Sequence, residues 1–521
     1  MKTCLLLAVS LALALGACED EGLYGEMPDL RSTRELNDGL AFLSGRPGSI
    51  HHLRVATDGV EMKRLFSAQE GEIIDWMRIG PDPGSATSIF ALIAPASERE
   101  TNIEESLVRI EPEGGAKTRY AVGSLFGGLD FSPQGRWALL YHVDSDADQT
   151  GNLYNPNEVV LVDLSQPPSV DNPVTLSVDL GGRSFVDVMF VEPIEVEGVT
   201  RHLAIFVADG MVKILDLRRP GSGTVSVKLA ADDDPRTIVP EQVVARAGDE
   251  TRNPMLFVRT GGTPEIYAIS LVPRPDGQPG LWASLNQYDG GFSPSDMELV
   301  QDGERPLLVV ASSSGKQARI IDVDTADSGV LHLESRCGQV LARESAAGRE
   351  LVLYGTGQPA WVHFLQVEGL AMEKGSNLSE KAVPTGISSA AQLDADRLMI
   401  FDYWGDLLLF DLEPRSMTKI AVGDGGGWQD ARLHGDSLYL ADSGTDRLAA
   451  LDLESGHPES LVFDEPIDSF HIVDDSETGL VLHPGVTGRA TIFPLAAPSR
   501  ETAAMVDGFW LEGFVDDKEV P

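Results

Sequence analysis

Seven carboxylates recur at one place in a repeating pattern of short apolar strands: Asp75, Asp130, Asp187, Asp296, Asp430, Asp468 and Glu512. Each falls in the stretch that opens a repeat. If those opening strands surround a common axis, the seven side chains line an acidic channel. Hard oxygen donors converging there would suit calcium, and a water on the ion would supply the nucleophile for hydrolysis. The expectation depends on register, because a slip of one residue turns every one of these side chains to the other face of its strand.

A second candidate lies between two strands, where Asp144, Asp146, Asp148, Thr150 and Gly151 place oxygen donors at alternate positions. From Asp146 the chain reads D-A-D-Q-T-G, close to the opening of a calcium loop, in which glycine permits the sharp turn. The pattern departs at Thr150, where a stronger ligand is expected, and at Asn157, where a bidentate glutamate would close the site. A solvated acidic turn accounts for the same residues. The remaining candidates carry less chemistry. His51 and His52 are consecutive in a strand and so point to opposite faces, which prevents joint metal ligation. Gly425-Gly426-Gly427 lacks the following Gly-Lys-Ser/Thr of a phosphate loop, and Ser312, Ser313, Ser314 and Ser443 lack the context of a nucleophile elbow. No C-x-x-C-H haem attachment motif and no vicinal cysteine pair is present. Tyr403, Trp404 and Trp428 either form an aromatic contact patch or pack between repeats.

The elements that would position these groups form a long internal repeat. An apolar strand ending in a polar step recurs at Ala56, Glu111, Asp163, Asp216, Ser270, Asp322, Gln366, Asp411, Asp452 and Pro494. The steps between them are 55, 52, 53, 54, 52, 44, 45, 41 and 42 residues. That is the period of a four-stranded propeller blade. A partner strand precedes each anchor, as in WALLYHV from Trp137 and SLYLADS from Ser437, and an alternating strand follows, as in VTLSVDL from Val174. The chain is therefore expected to be all-β, a single closed β-propeller of about ten four-stranded repeats, with eight to ten blades. The first blade has no opening strand of its own before Leu40, while Phe509 to Val515 is a spare strand near the C-terminus. Pairing the spare strand beside Leu40 to Ser44 would complete blade one and remove the sheet edges.

Two blades resemble known repeats. Phe131 to Trp137 (FSPQGRW) is similar to the turn of TolB-like propellers, and Leu438 to Asp452 (LYLADSGTDRLAALD) resembles NHL and YVTN repeats. Each resemblance covers one blade, so it implies architecture and no activity. Lactonase-like and esterase-like propellers hold a catalytic calcium with channel carboxylates, and that likeness implies the hydrolase alternative set out above.

The first 17 residues run from Lys2 through the apolar stretch Leu5 to Leu15, the layout of a secretory signal. Leu15-Gly16-Ala17-Cys18 resembles a bacterial lipobox, which makes Cys18 the expected lipidation site. Residues 18–37 are expected to be an acidic tether and 38–521 the propeller. Cys4 leaves with the signal, so Cys337 is the one thiol left in the mature chain and is expected in the core. With 40 basic and 81 acidic residues the formal charge is −41. Nucleic acid and anionic lipid are excluded as partners by repulsion. The expected location is the cell envelope, with the outer membrane favoured because Glu19, rather than aspartate, follows Cys18.

Two connections stand out by length, Ala94 to Ser106 and Asp144 to Glu158, on adjacent blades of the same face. Glu98, Arg99, Glu100, Asn102, Tyr154 and Asn155 are their expected partner-binding residues. The leading expectation is a lipid-anchored binding scaffold for a protein or glycan, with no required cofactor and calcium the one ion considered. The alternative is a calcium-dependent lactonase- or esterase-like hydrolase using the channel carboxylates.

Overall fold

Runs such as Trp137–Tyr141 (WALLY), Leu203–Ala208 (LAIFVA) and Met255–Thr260 (MLFVRT) contain no polar alternation, and every residue in them is buried. A strand reads this way when both faces of its sheet are covered. The outermost strands show the opposite pattern: Lys117–Ala121 and Pro458–Val462 each bury a single side chain. Burial therefore falls from the middle of each sheet to its outer edge, as expected for sheets stacked radially around an axis.

The computed structural model describes residues 28–507 apart from 45–47, 57–58, 82–86, 97–103, 113–115, 144–154, 156, 181–185, 197, 231–237, 249–251, 275–279, 370–377, 405, 421–429, 443, 454–457 and 485–487. The described strands form ten four-stranded antiparallel sheets, each built from consecutive segments, and one added hairpin. We call the strands of a blade a to d from the axis outward. Strand a of the ten blades spans Pro28–Leu36, Glu72–Pro81, Gly128–Phe131, Asp187–Phe190, Pro240–Arg246, Pro294–Asp302, Gln339–Ser345, Ser389–Gln392, Asp430–His434 and Ser469–Val473. All ten anchor positions lie in strand c or directly after it. The hairpin, Ile194–Val196 with Val199–Arg201, sits between strands a and b of blade four.

The core consists of ten separate apolar clusters, one between each pair of successive blades. Nine join neighbours in sequence, such as Phe90, Leu92, Leu107 and Tyr120 of blade two with Leu129, Leu140 and Val160 of blade three. The tenth joins the ends of the chain: Leu40, Phe42, Leu53 and Val55 of blade one pack on Leu480, Leu482, Ala490 and Ile492 of blade ten. This closes one ring of ten blades and settles the count at the upper end of the expected range. The shorter period after Asp322 reflects shorter connections and not a second ring.

Closure differs from the expected exchange of a C-terminal strand. The place beside Leu40 to Ser44 is taken by Pro28–Leu36, which pairs with Gly39–Ser44 from Leu36↔Gly39 to Pro28↔Ser44. Much of the stretch expected to be tether is thus strand a of blade one. Its charges, Asp29, Arg31, Arg34 and Glu35, hide it from a search for apolar alternation. A strand at the axis tolerates them because of its described side chains only Leu36 is buried. Blade ten has its own strand d, Ala504–Asp507, and the spare segment Phe509 to Val515 and Glu512 lie outside the described residues.

On the face carrying the b-to-c and d-to-a connections, backbone hydrogen bonds tie neighbouring loops into a belt. Gly210 N donates to Ile238 O at 2.7 Å, Gly290 N to Pro264 O at 2.8 Å, Gly357 N to Ile387 O at 2.9 Å and Gly444 N to Ile467 O at 2.8 Å. These bonds satisfy loop amides that would otherwise be lost to burial between blades. We call this the loop face.

Candidate functional site

Strand a of each blade carries the groups nearest the axis, and most of the six described carboxylates there already have partners. Asp130 accepts a hydrogen bond from the Tyr141 hydroxyl at 2.5 Å. Burial, then this bond, hold the Tyr141 phenol well above its ordinary value. Asp187, in the next blade, accepts from the Val188 amide at 2.8 Å, and its partial burial and the charge of Asp130 push its carboxyl up. Arg78 of blade two donates to the carbonyls of Leu129 and Gly127, each at 2.9 Å, and so ties strand a of blade two to blade three.

Asp296 performs the same task across three blades. It accepts from Gln242 Nε2 of blade five at 2.8 Å and from the Val340 amide of blade seven at 2.9 Å. Asp430 accepts from Arg432 Nε at 3.0 Å on its own strand. Asp75 is exposed at a bulge between the pairs of Ile74 and Trp76, and Asp468 is exposed just before strand a of blade ten. The six described carboxylates are thus spread over six of the ten blades, one in each. Among the described residues no three His, Cys, Asp or Glu side chains are grouped to hold a metal ion. Asp130 and Asp187 come nearest to acting together, through the charge of Asp130 at Asp187 and of both at Tyr141.

The sequence pattern did not single out the seam between the chain ends. Glu35 of blade one meets His471 Nδ1 of blade ten at 2.7 Å and Arg432 Nη2 of blade nine at 3.0 Å. His52 lies 2.9 Å from Asp38 in the adjoining a-to-b turn, and the Asp475 amide donates to Asn37 O at 3.2 Å. The bonds to His471 and His52 hold the carboxyls of Glu35 and Asp38 below their ordinary range against partial burial. His51, on the other face of the strand, bonds Ser49 Oγ at 2.8 Å, so the two histidines do separate across the strand. A charged strand, with His52 on its own repeat and His471 on the last, was the available signal for this cluster.

The loop face is uneven. The b-to-c connections of blades two and three hold ten and sixteen residues, where the other eight hold two to five. Of their expected binding residues Asn155 is exposed, and its Oδ1 accepts from the Asn157 amide at 3.1 Å. Glu98, Arg99, Glu100, Asn102, Tyr154 and the ligand set Asp144, Asp146, Asp148 and Thr150 lie outside the described residues. The loop bases are firm: Ala96 N donates to Gly71 O at 2.7 Å and Val178 N to Asn157 O at 2.7 Å.

Across the ring, the same face carries exposed aromatic rings. Trp404 is 75% and Tyr403 50% exposed in the b-to-c loop of blade eight, and Phe292 is 72% exposed in the turn from blade five to six. Buried Asp402 shapes the first loop by accepting the amides of Trp404 at 2.8 Å and Asp406 at 2.9 Å. Tyr403 rests on Gly386, where a Cβ would come within 2.7 Å of its ring and where φ is +84°. Ser312 Oγ and Ser314 Oγ donate to the Phe292 carbonyl, which makes these serines turn residues. Of the two readings of Tyr403 and Trp404, the structure supports the exposed patch; Trp428 lies outside the described residues. Cys337 is fully buried, and burial pushes its thiol up to about 12, as fits a core residue.

This geometry defines a ten-bladed β-propeller with an uneven loop face. No family model matches the sequence, and no curated protein matches it. Among solved structures, the chain is similar to the dihydro-heme d1 dehydrogenase NirN, with 15% identity, a TM-score of 0.40, and coverage of 71% of this chain and 73% of that one. A eukaryotic initiation factor matches with 12% identity and a TM-score of 0.44 over 87% of this chain and 95% of its own. AztD from Citrobacter koseri matches with 14% identity and a TM-score of 0.31 over 70% and 93%. Likeness at this level transfers no activity.

Proposed function

We propose that the chain is a lipid-anchored, extracytoplasmic binding scaffold, tethered to the cell envelope through Cys18, with the outer membrane as its favoured site. It holds a protein or glycan partner through the long loops of blades two and three. The observation that carries this reading is the placement of the two long connections, on adjacent blades of one face, in a ring whose other b-to-c connections are short. Their sequence, residues 96–105 and 142–157, holds seven carboxylates and one arginine, which suits a partner with basic groups. The dispersal of the described channel carboxylates, most of them engaged with their own partners, also favours a scaffold over a hydrolase.

The test is metal content and thermal unfolding of the full chain in calcium and in chelator, with turnover measured on lactones and esters. A scaffold gives no turnover, and any calcium bound affects the loops alone. One stoichiometric ion with ester or lactone hydrolysis, both lost in Asp130→Asn, would overturn the proposal in favour of the calcium-dependent hydrolase. A native-state ion would show itself directly, because binding to the folded state raises the unfolding temperature.

A further inference from the structure

We infer that the loop face is turned toward the membrane and that Phe292, Tyr403 and Trp404 rest in the bilayer interface. The inference builds on the proposed lipid anchor at Cys18. Strand a of blade one runs from Pro28 to Leu36, and its far end enters the Asn37-Asp38 turn on the face opposite the loops. Pro28 therefore lies at the loop face. Only nine residues lie between Cys18 and Pro28, and the ten steps reach at most about 35 Å fully extended. A path over the rim and down the outside must cross four strands at roughly 4.8 Å each and then a strand length of roughly 17–20 Å. That outside path, roughly 36–39 Å, is longer than the tether, so along it the lipid chains meet the bilayer on the side of the loop face.

The side chains on that face agree. Three of the four exposed aromatic residues among those described are on it; the fourth, Trp282, begins a strand d at the opposite end. Trp and Tyr favour the membrane interface because an apolar ring and a polar edge are both satisfied there. Charge separates this sector from the rest of an acidic molecule. The loop-face connections between residues 290 and 406 hold three carboxylates, Glu334, Asp402 and Asp406, against Lys316 and Arg336, and Asp402 is buried. Such a sector can approach a zwitterionic surface without the repulsion expected of the chain as a whole. A single acyl chain holds weakly, but a lipidated lipobox cysteine carries two, so the aromatic contact adds orientation to an anchor that is already stable. The acidic loops of blades two and three then stand on the same face, at the far side of the ring, where they reach a partner beside the membrane.

The test uses full-length lipidated protein on phosphatidylcholine vesicles, with an environment-sensitive label at Ser313→Cys on the loop face or Ala347→Cys on the opposite face. Both positions are exposed, and buried Cys337 does not compete for label. Brominated lipid should remove most of the emission at 313 and none at 347, and Phe292→Ser with Trp404→Ser should restore emission at 313. Flotation of wild type against Cys18→Ala reports on the anchor separately. Protein that floats by way of Cys18 but is quenched at 347, or at neither site, overturns the orientation and leaves the anchor standing. Protein that does not float at all overturns both. Shielding of residue 313 that persists without vesicles identifies a second protein copy on the patch and also overturns the inference.

Discussion

The seam between the chain ends and the seam through blades five, six and seven solve the same problem with different chemistry. Both have an apolar cluster between blades and a polar tie near the axis. In the interior seam the tie is the Asp296 carboxylate, fixed by an amide side chain and a backbone N–H from its two neighbours. At the chain ends it is the Glu35 carboxylate, set between His471 of blade ten and Arg432 of blade nine, while Asp38 meets His52 within blade one. An interior blade is held in register by covalent links on both sides, so a directional neutral-donor bond suffices. Blade one is linked on one side only, and charge adds attraction where the backbone is discontinuous. Of the three described carboxyls held below their ordinary values, Glu35 and Asp38 are at the closure and Asp163 is in blade three.

The largest break in this comparison should come from the apolar layer. Leu480→Ala empties a fully buried site at the closure and should cost about 2–5 kcal/mol in denaturant unfolding. Leu308→Ala between blades five and six should cost a similar amount. A much smaller loss at Leu480 would show that the closure opens before the rest of the ring.

Next in size is Asp296→Ala, which removes the acceptor of the Val340 amide and one of the two acceptors of Gln242 Nε2 and should cost about 1–3 kcal/mol. Glu35→Gln should cost about 1 kcal/mol or less, because Glu35 is 40% exposed and water screens its pairs. An effect at Glu35 larger than at Asp296 would reverse the ranking of the two ties.

The acid response sharpens the contrast. Glu35 and Asp38 have folded-state values lowered from 4.5 and 3.8. Their contribution is therefore complete above those ordinary values and is lost as pH falls through the lower folded ones. Thermal unfolding between neutral pH and about pH 3 should show a shallower fall for Glu35→Gln with Asp38→Asn than for wild type.

The smallest effect belongs to Glu298, whose carboxyl is pushed up first by burial and then by Asp296. A raised value means that ionisation above 4.5 costs stability. Glu298→Gln should raise the unfolding free energy at neutral pH slightly, by less than about 1 kcal/mol in denaturant unfolding, and should leave stability below pH 4 unchanged.

Much of the architecture was legible because blades repeat. Strands b and c, buried on both faces, favour continuous apolar runs, and five of the ten anchors announce themselves that way, with five weaker copies filling the period. The long connections of blades two and three were legible for the same reason, as gaps between two firmly placed runs. Strand a of blade one was not. Its residues PDLRSTREL carry four charges, and an axial strand has one flank on the channel, so no apolar pattern is required of it. Apolar periodicity points instead to the spare segment at the C-terminus, because a charged axial strand carries no such signal.

The residue types alone determined that the chain makes a many-bladed ring, where its loops are long, and that its surface repels anions. Those properties follow from local period and composition, which each repeat carries within itself. Tertiary structure decided which segment completes blade one, that the axial carboxylates are dispersed and mostly tied to neighbours instead of gathered on an ion, and that Tyr403, Trp404 and Phe292 share one face. Each of these depends on where distant repeats come to lie when the ring closes, and a local pattern holds no record of that.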